Sequence, residues 1–255
     1  MAHQKHLKYI HCLSAHDWNQ WRKINPRINP NLEGADLSKL NLSQFNLENA
    51  NFTKANLSKT TLTATNLKNA NLTEANLSES FGITANLENT NLQDANLFRA
   101  HFTKANFSKS NMLLANLREG TFSESFFNQV NLQYANLVGS TLRKVSFTQA
   151  NLNNANLIRS ECEKANFTKT QVKNTNFSYS NLTEIIVNKW QINQQTQFTQ
   201  VKCSMIWLNQ TNHVISDDDF FFCTADFTYF LDSSAKSLTQ YKKVSNTMVN
   251  DIMIA

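Results

Sequence analysis

Residues 66–77 read NLKNANLTEANL: Leu67, Leu72 and Leu77 stand five apart, each preceded by Asn, with Ala70 and Ala75 two places before the second and third. The spacing runs outward in both directions without losing phase. Steps of five from Leu32 to Ile192 meet 33 positions, of which 19 are Leu and 8 are Phe. The others are Met112, Cys162, Val172, Val187, Ile192 and one true exception, Gly82. Two residues before each, 26 of the 33 are Ala, Ser, Thr or Gly; one residue before, 21 are Asn. The unit is therefore Ala-Asn-Leu-x-x.

A period of five fits neither ordinary element. At about 100° per residue, five steps turn a helix by about 140°, so the leucines would circle its surface. On a flat strand, five steps alternate faces and would send half the leucines to water. A chain that turns a corner every five residues lets each Leu point inward. Four corners give a closed coil of about twenty residues, and coils stack at about 4.8 Å. About eight coils make a rod of about 38 Å. The small residue before each Leu follows from the little volume inside such a coil. Asn is expected at the corner because it tolerates left-handed backbone angles and bonds to nearby backbone.

The series resembles the pentapeptide-repeat proteins over about 160 of the 255 residues. The resemblance implies an all-β chain folded as a right-handed quadrilateral β-helix, with the Leu and Ala positions inside and the other three outside. It implies no single activity. The best-characterised members protect or inhibit type II topoisomerases by imitating DNA with an acidic rod, and dimerise through C-terminal caps.

Bulk properties agree with a folded, non-membrane chain. Only 17% of residues are charged and 41% are hydrophobic, the reverse of a disordered composition. No apolar run approaches the roughly 20 residues of a membrane helix. The Lys- and His-containing start, Met1 to Leu13, does not read as a secretory signal, so a cytoplasmic location is expected. Cys12, Cys162, Cys203 and Cys223 form no CxxC pair, which argues against zinc and fits free thiols in a reducing compartment.

Stacking at twenty residues predicts two columns. Asp36 followed by Asn56, Asn76, Asn96, Asn116, Asn136, Asn156 and Asn176 reads as an Asn ladder on one corner. Phe107, Phe127, Phe147 and Phe167 read as an aromatic spine. At Phe81-Gly82-Ile83 a local distortion is expected, with Phe81 or Ile83 filling the space Gly82 leaves.

The ends must cover the solenoid's unpaired edges. Residues 1–31 read as a helical N-terminal cap. There Ser14 and Asp17 resemble a capping box, Trp18 and Trp21 share a face, and Pro26 and Pro30 mark entry to the solenoid of 32–192. Residues 193–231 read as a mixed C-terminal cap, with a strand at Val201–Leu208 and aromatics over Phe220–Leu231. Together with Trp190, Cys203 and Ala225-Asp226-Phe227, this tail is similar to that of some bacterial members of the family. Residues 232–255 are a polar tail expected to be disordered at least in part.

No catalytic motif, cofactor loop or metal-ligand spacing is present, so no enzyme activity, cofactor or metal is expected. Asp217, Asp218 and Asp219 offer carboxylates to a cation, but read rather as a solvated turn or helix start. The net charge of +5 (sequence pI about 9.0) leaves acidic partners open. Residues 32–192 hold 15 Lys and Arg against 12 Asp and Glu, which disfavours an acidic DNA mimic acting on a topoisomerase. Nucleic-acid binding is also disfavoured, because Lys104, Lys144 and Lys164 share a column with Glu124 and form no basic stripe.

One outward patch departs from the polar surface. Phe98, Val138 and Ile158 share an outward column interrupted by Arg118, and Leu114 and Tyr134 share the adjoining one, with Leu113 beside them. A contiguous apolar patch marks a contact surface, so the expected function is a non-catalytic protein-binding scaffold, with an unidentified protein or a second copy as partner.

The register itself is testable. Deleting Ala95–Leu114 removes one whole coil and should leave a shorter folded rod. Deleting Lys68 alone should turn every later Leu off the core unless a bulge absorbs the slip. Thermal melts followed by circular dichroism compare the two, and equal stability would overturn the four-sided coil.

Overall fold

The computed structural model describes residues 1–207 and the backbone course of His213–Phe222. Two helices, α1 (Gln4–Cys12) and α2 (Ala15–Ile24), precede a long series of parallel bridges at a constant step of twenty. Asn31 pairs with Asn51, Asp36 with Asn56, Asn41 with Thr61 and Asn46 with Asn66, and the four series continue coil after coil. Four five-residue sides therefore close each coil, and the fold is a β-helix.

One hydrogen-bond pattern repeats on every side. Leu57 N–H donates to the Asn76 carbonyl at 2.7 Å, Lys59 N–H to Ser78 at 2.9 Å, and Asn56 N–H to Ala35 of the coil before at 2.9 Å. Each corner closes with a tight turn, as where Thr60 N–H donates to the Leu57 carbonyl at 3.2 Å. The third residue of that turn carries the left-handed angle: φ is 58° at Lys59, 58° at Lys54 and 59° at Asn49. The repeated Asn is not at this position, contrary to the expectation from sequence. Two of the four glycines, Gly34 and Gly139, are, with φ of 66° and 67°. Elsewhere Lys, Glu, Gln, Arg and Asn accept a conformation costing about 1–2 kcal/mol, which the ladder bond of that same amide offsets.

The repeated Asn acts through its side chain. Asn56 Oδ1 accepts from Ser58 N–H at 3.2 Å, and Asn76 Nδ2 donates to Asn56 Oδ1 at 3.3 Å. Asn96 and Asn116 extend the ladder at 3.2 and 3.0 Å. Each Asn thus fixes its own turn and links two coils.

The interior is layered. The Leu and Phe positions from Leu32 to Leu182 are buried, with Ala, Ser or Thr two places before most of them. The hydroxyls do not go unpaired: Thr60 Oγ1 donates to the Leu37 carbonyl at 2.8 Å and Ser80 Oγ to Leu77 at 2.7 Å. Phe107, Phe127, Phe147 and Phe167 form a continuous spine with centroid separations of 4.7, 5.4 and 5.1 Å.

Gly82 corrects a second expectation. Phe81 and Ile83 do not fill its space; they are 44% and 45% exposed. The Phe102 ring of the next coil does, lying where a Cβ on Gly82 would be. No distortion follows: Phe81 N–H donates to Thr60 at 3.0 Å and Gly82 N–H to His101 at 2.8 Å. The step of twenty already places 102 over 82, so a large residue above compensates a missing one below without any change of backbone.

After Gln171 pairs with Gln191 the step becomes 21, as Asn176 pairs with Gln197 and Asn181 with Lys202. One added residue is taken up near the turn where Thr196 N–H donates to Asn193 at 3.1 Å, and Phe198 regains the interior, stacked 5.5 Å from Phe177. The last described sheet has the order β1 (Ile185–Ile186), β2 (Val201–Trp207), β3 (His213–Phe222), with β2 parallel to β1 and antiparallel to β3. Asp217, Asp218 and Asp219 lie within strand β3 and not in a turn or helix start. Val214 and Ile215 before them and Phe220, Phe221 and Phe222 after them are strong strand formers, which outweigh three acidic residues. Residues 223–255, with Cys223, Ala225-Asp226-Phe227 and the polar tail, lie outside the described residues.

At the other end, α2 begins at Ser14, whose Oγ accepts from Asp17 N–H at 3.1 Å. Trp18 is fully buried, with its ring 5.9 Å from Phe45. Side chains of α2 reach the first coil: Trp18 Nε1 donates to the Asn46 carbonyl at 2.8 Å, Asn19 Oδ1 accepts from Asn46 N–H at 2.7 Å, and Arg22 donates to the Glu48 carbonyl at 2.8 Å. On the neighbouring side His3 N–H donates to the Asn31 carbonyl at 3.0 Å, and His6 Nδ1 accepts from Asn31 N–H at 3.1 Å.

Two core predictions follow. Gly82→Leu should cost about 1–3 kcal/mol by overpacking against Phe102, and adding Phe102→Leu should bring the loss within about 1.5 kcal/mol. Phe127→Ala should cost about 3–5 kcal/mol. Urea unfolding midpoints measure all three, and a Gly82→Leu protein as stable as its parent would refute the Phe102 packing.

Candidate interaction surface

Outward positions on each side are the residue before the inward one and the two after it. Leu113, Leu114 and Tyr134 are outward on the side whose inward residues include Met112 and Leu132. Phe98, Val138 and Ile158 are outward on the next side, behind Leu97, Leu137 and Leu157. The two sides share the corner at Asn116, Asn136 and Asn156. Leu114 and Tyr134 are 52% and 56% exposed, whereas Phe98, Leu113, Val138 and Ile158 are half-buried.

Neighbouring rungs hold these residues in order. Leu114 N–H donates to the Gln133 carbonyl at 3.0 Å, and Gly139 N–H to Ile158 at 2.9 Å. Leu114 and Tyr134 occupy the left-handed turn position, with φ of 60° and 57°. Most residues at that position are charged or amide-bearing, so these two are the bulky apolar exceptions, joined by Tyr179 (φ 63°), which is 51% exposed. Sequence reading had not singled out Tyr179; the turn position, once its phase is known, identifies it.

Phe98 stands apart from the rest of its column. The guanidinium of Arg99 lies 4.8 Å from its ring and that of Arg118 lies 6.0 Å away. Both cations bond Glu119, at 2.8 and 3.0 Å, and the Arg99 hydrogen bond first of all holds the Glu119 carboxyl below the usual range. The patch therefore comprises Leu113, Leu114 and Tyr134 with Val138 and Ile158 around the corner, edged by a charged cluster over Phe98.

The remaining charge is organised along the rod axis. Lys54–Glu74, Lys59–Glu79, Lys68–Glu88, Lys104–Glu124 and Lys164–Glu184 pair residues twenty apart at 3.0–3.7 Å. Arg143 meets Glu161 and Glu163 at 3.5 and 3.9 Å. Each pair sets opposite signs on adjacent coils, so neither an unbroken acidic nor an unbroken basic stripe runs along their columns. Each exposed pair contributes at most about 1 kcal/mol.

Among the described residues no group of three or more His, Cys, Asp or Glu is placed to hold a metal ion, and no helix is long and apolar enough to cross a membrane. Cys162 and Cys203 are buried, and burial pushes each thiol up to about 12, away from reactivity.

The family model for pentapeptide repeats matches this chain in eight copies, over residues 31–69, 56–81, 83–118, 110–149 and 146–184. The chain belongs to the pentapeptide-repeat family. No individually curated protein matches it in sequence. Among solved structures, this pentapeptide-repeat protein is similar to HetL of the cyanobacterium Nostoc, described as involved in heterocyst differentiation regulation. The identity there is 21%, over 72% of this chain and 95% of that one, with a TM-score of 0.41. It is also similar to Rfr23 of the cyanobacterium Cyanothece, at 25% identity over 38% of this chain and 62% of that one, with a TM-score of 0.27. QnrB1, a plasmid-mediated fluoroquinolone resistance protein, matches at 13% identity over 62% of this chain and 92% of that one, with a TM-score of 0.23.

Proposed function

We propose that this pentapeptide-repeat protein is a non-catalytic scaffold that binds a protein partner, or a second copy of itself, through the patch centred on Leu114 and Tyr134. The observation behind it is the exposure of these two bulky apolar side chains at outward turn positions that otherwise carry charged or amide groups. The patch offers apolar area and a phenol but no nucleophile or acid–base pair, which fits recognition better than chemistry. We also read the rod as about eight coils, with α1 and α2 as its N-terminal cap and β2 and β3 as part of its C-terminal cap. The alternative, a DNA-mimicking modulator of a type II topoisomerase, calls for an acidic face, and the alternating Lys–Glu pairs do not supply one.

A patch of a few hundred Å² supports transient binding, since stable interfaces bury about 1,200–2,000 Å² in total. Tyr134 is the expected anchor, because Tyr is favoured at binding hot spots. Changing Leu114 and Tyr134 together to Lys should leave the melting curve nearly unchanged and abolish association, read by light scattering and by retention of a captured partner. Unchanged association would move the interface to the rod's ends, and loss of the fold would mark the patch as part of the core.

A further inference from the structure

Within the rod, each coil's corner amides and carbonyls are bonded by the coils on either side; the first coil has no coil before it. There the unpaired groups of Asn31, Asn46 and Glu48 are met by His3, His6, Trp18, Asn19 and Arg22. Of the side chains that serve this edge, His6 alone changes charge near neutral pH. We propose that His6 is an acid-released latch: its neutral imidazole holds α1 on the first coil, and protonation frees the two helices from the end of the rod.

The geometry sets the mechanism. His6 Nδ1 accepts from Asn31 N–H at 3.1 Å, so the bond needs an unprotonated Nδ1. Adding a proton there points two donors at each other. The ring is only 9% exposed, so the new charge would also be buried. Its surroundings offer no relief. Around its own helix lie the ring of His3, which caps the N-terminus, 4.4 Å away between centroids, and Lys5; from α2 come the Trp21 ring at 5.7 Å and Arg22. Of the acidic groups nearby, Glu33 pairs with the Met1 ammonium at 3.3 Å, and the Glu48 carboxylate accepts from Asn66 Nδ2 at 3.4 Å and acts on Arg22 by its charge. Burial first, then His3, Lys5 and Arg22, hold His6 below the ordinary histidine range.

The direction with pH follows. The released helix binds a proton at about pH 6.5, the docked helix only at a lower pH. Docking is therefore fully favoured above about pH 6.5 and weakens as pH falls through the window below it, by up to about tenfold per pH unit. Release would uncover Trp18, Ile10 and Phe45 and leave the first coil's edge open, a surface ready to pair with another strand.

Amide hydrogen exchange on the full chain tests this. Protection factors for the Asn31 amide and for residues 4–12 should fall by up to about tenfold per pH unit between pH 6.5 and 5, while Leu97 in the central coils stays protected. In His6→Asn the side-chain Oδ1 stands in for Nδ1 as acceptor and cannot titrate, so protection should no longer depend on pH. His3→Gln should keep the wild-type response. Constant protection of Asn31 in the wild type down to pH 5, a pH response surviving in His6→Asn, or one lost in His3→Gln would each overturn the latch. If His6→Asn does not fold, the wild-type His6 ring resonances decide: a ring that titrates with no change at Asn31 overturns the proposal, and one that titrates in step with Asn31 supports it.

Discussion

From Leu32 to Val172 the amide of each inward residue donates to a carbonyl nineteen residues later, as Leu57 does to Asn76. That one bond fixes the circumference of the coil. It also fixes which side chains stack: residues twenty apart must sit above one another, whatever they are. The core columns, the Asn ladders and the axial ion pairs are all consequences of this register. So is the compensation at Gly82, where the register alone brings Phe102 over the gap. A deviation is tolerated where it keeps the inward phase, as the added residue before Phe198 does.

A register of this kind has a cost at its ends. Inside the rod a corner amide and its flanking carbonyls find partners in adjacent coils. At the first coil no such coil exists, and each unpaired buried group would cost about 1–3 kcal/mol. The chain answers with side chains that imitate a strand. Asn19 accepts from the amide of Asn46 while Trp18 donates to its carbonyl; His6 and the His3 amide do the same for Asn31. Between these two contacts, Ile10, Leu13, Leu40 and Phe45 line a shallow groove that includes Asn41, which is exposed.

Much of this was legible in the amino-acid series. The period of five gave the coil, the twenty-residue columns gave the Phe spine and the Asn ladder, and Ser14 with Asp17 gave the start of α2. The misreadings share a cause: they assigned a task to a residue by its type when the register had already assigned it. Asn was placed at the left-handed angle because it tolerates one, but the turn puts that angle two residues after the inward side chain and Lys59 takes it. Phe81 was expected inside because it adjoins a gap, but its position faces out. Of the five partners of the first-coil edge, Trp18 stood out in the sequence as part of an aromatic helix face; His3, His6, Asn19 and Arg22 carry no sequence signal, since their contacts depend on how two helices dock and not on any spacing. The outward patch was visible because polar residues surround it; the separation of Phe98 by Arg99 and Arg118 was not, because it depends on where two long side chains fold.

The same register explains why function is hard to read from such a rod. The inward residues repeat because the coil demands it, and the Asn because the turn does. What remains free is the outward pair after each inward residue, and the second of these sits at a left-handed angle, where a β-branched or bulky side chain gains nothing from the fold. A Lys or Glu there at least pairs with the next coil, as Lys59 does with Glu79. Leu114 and Tyr134 have no such return: they are more than half exposed, at a strained angle, on adjacent coils. Neither packing nor backbone conformation accounts for their identity. Stacking places the two side chains one coil apart on the same face, about 4.8 Å along the rod.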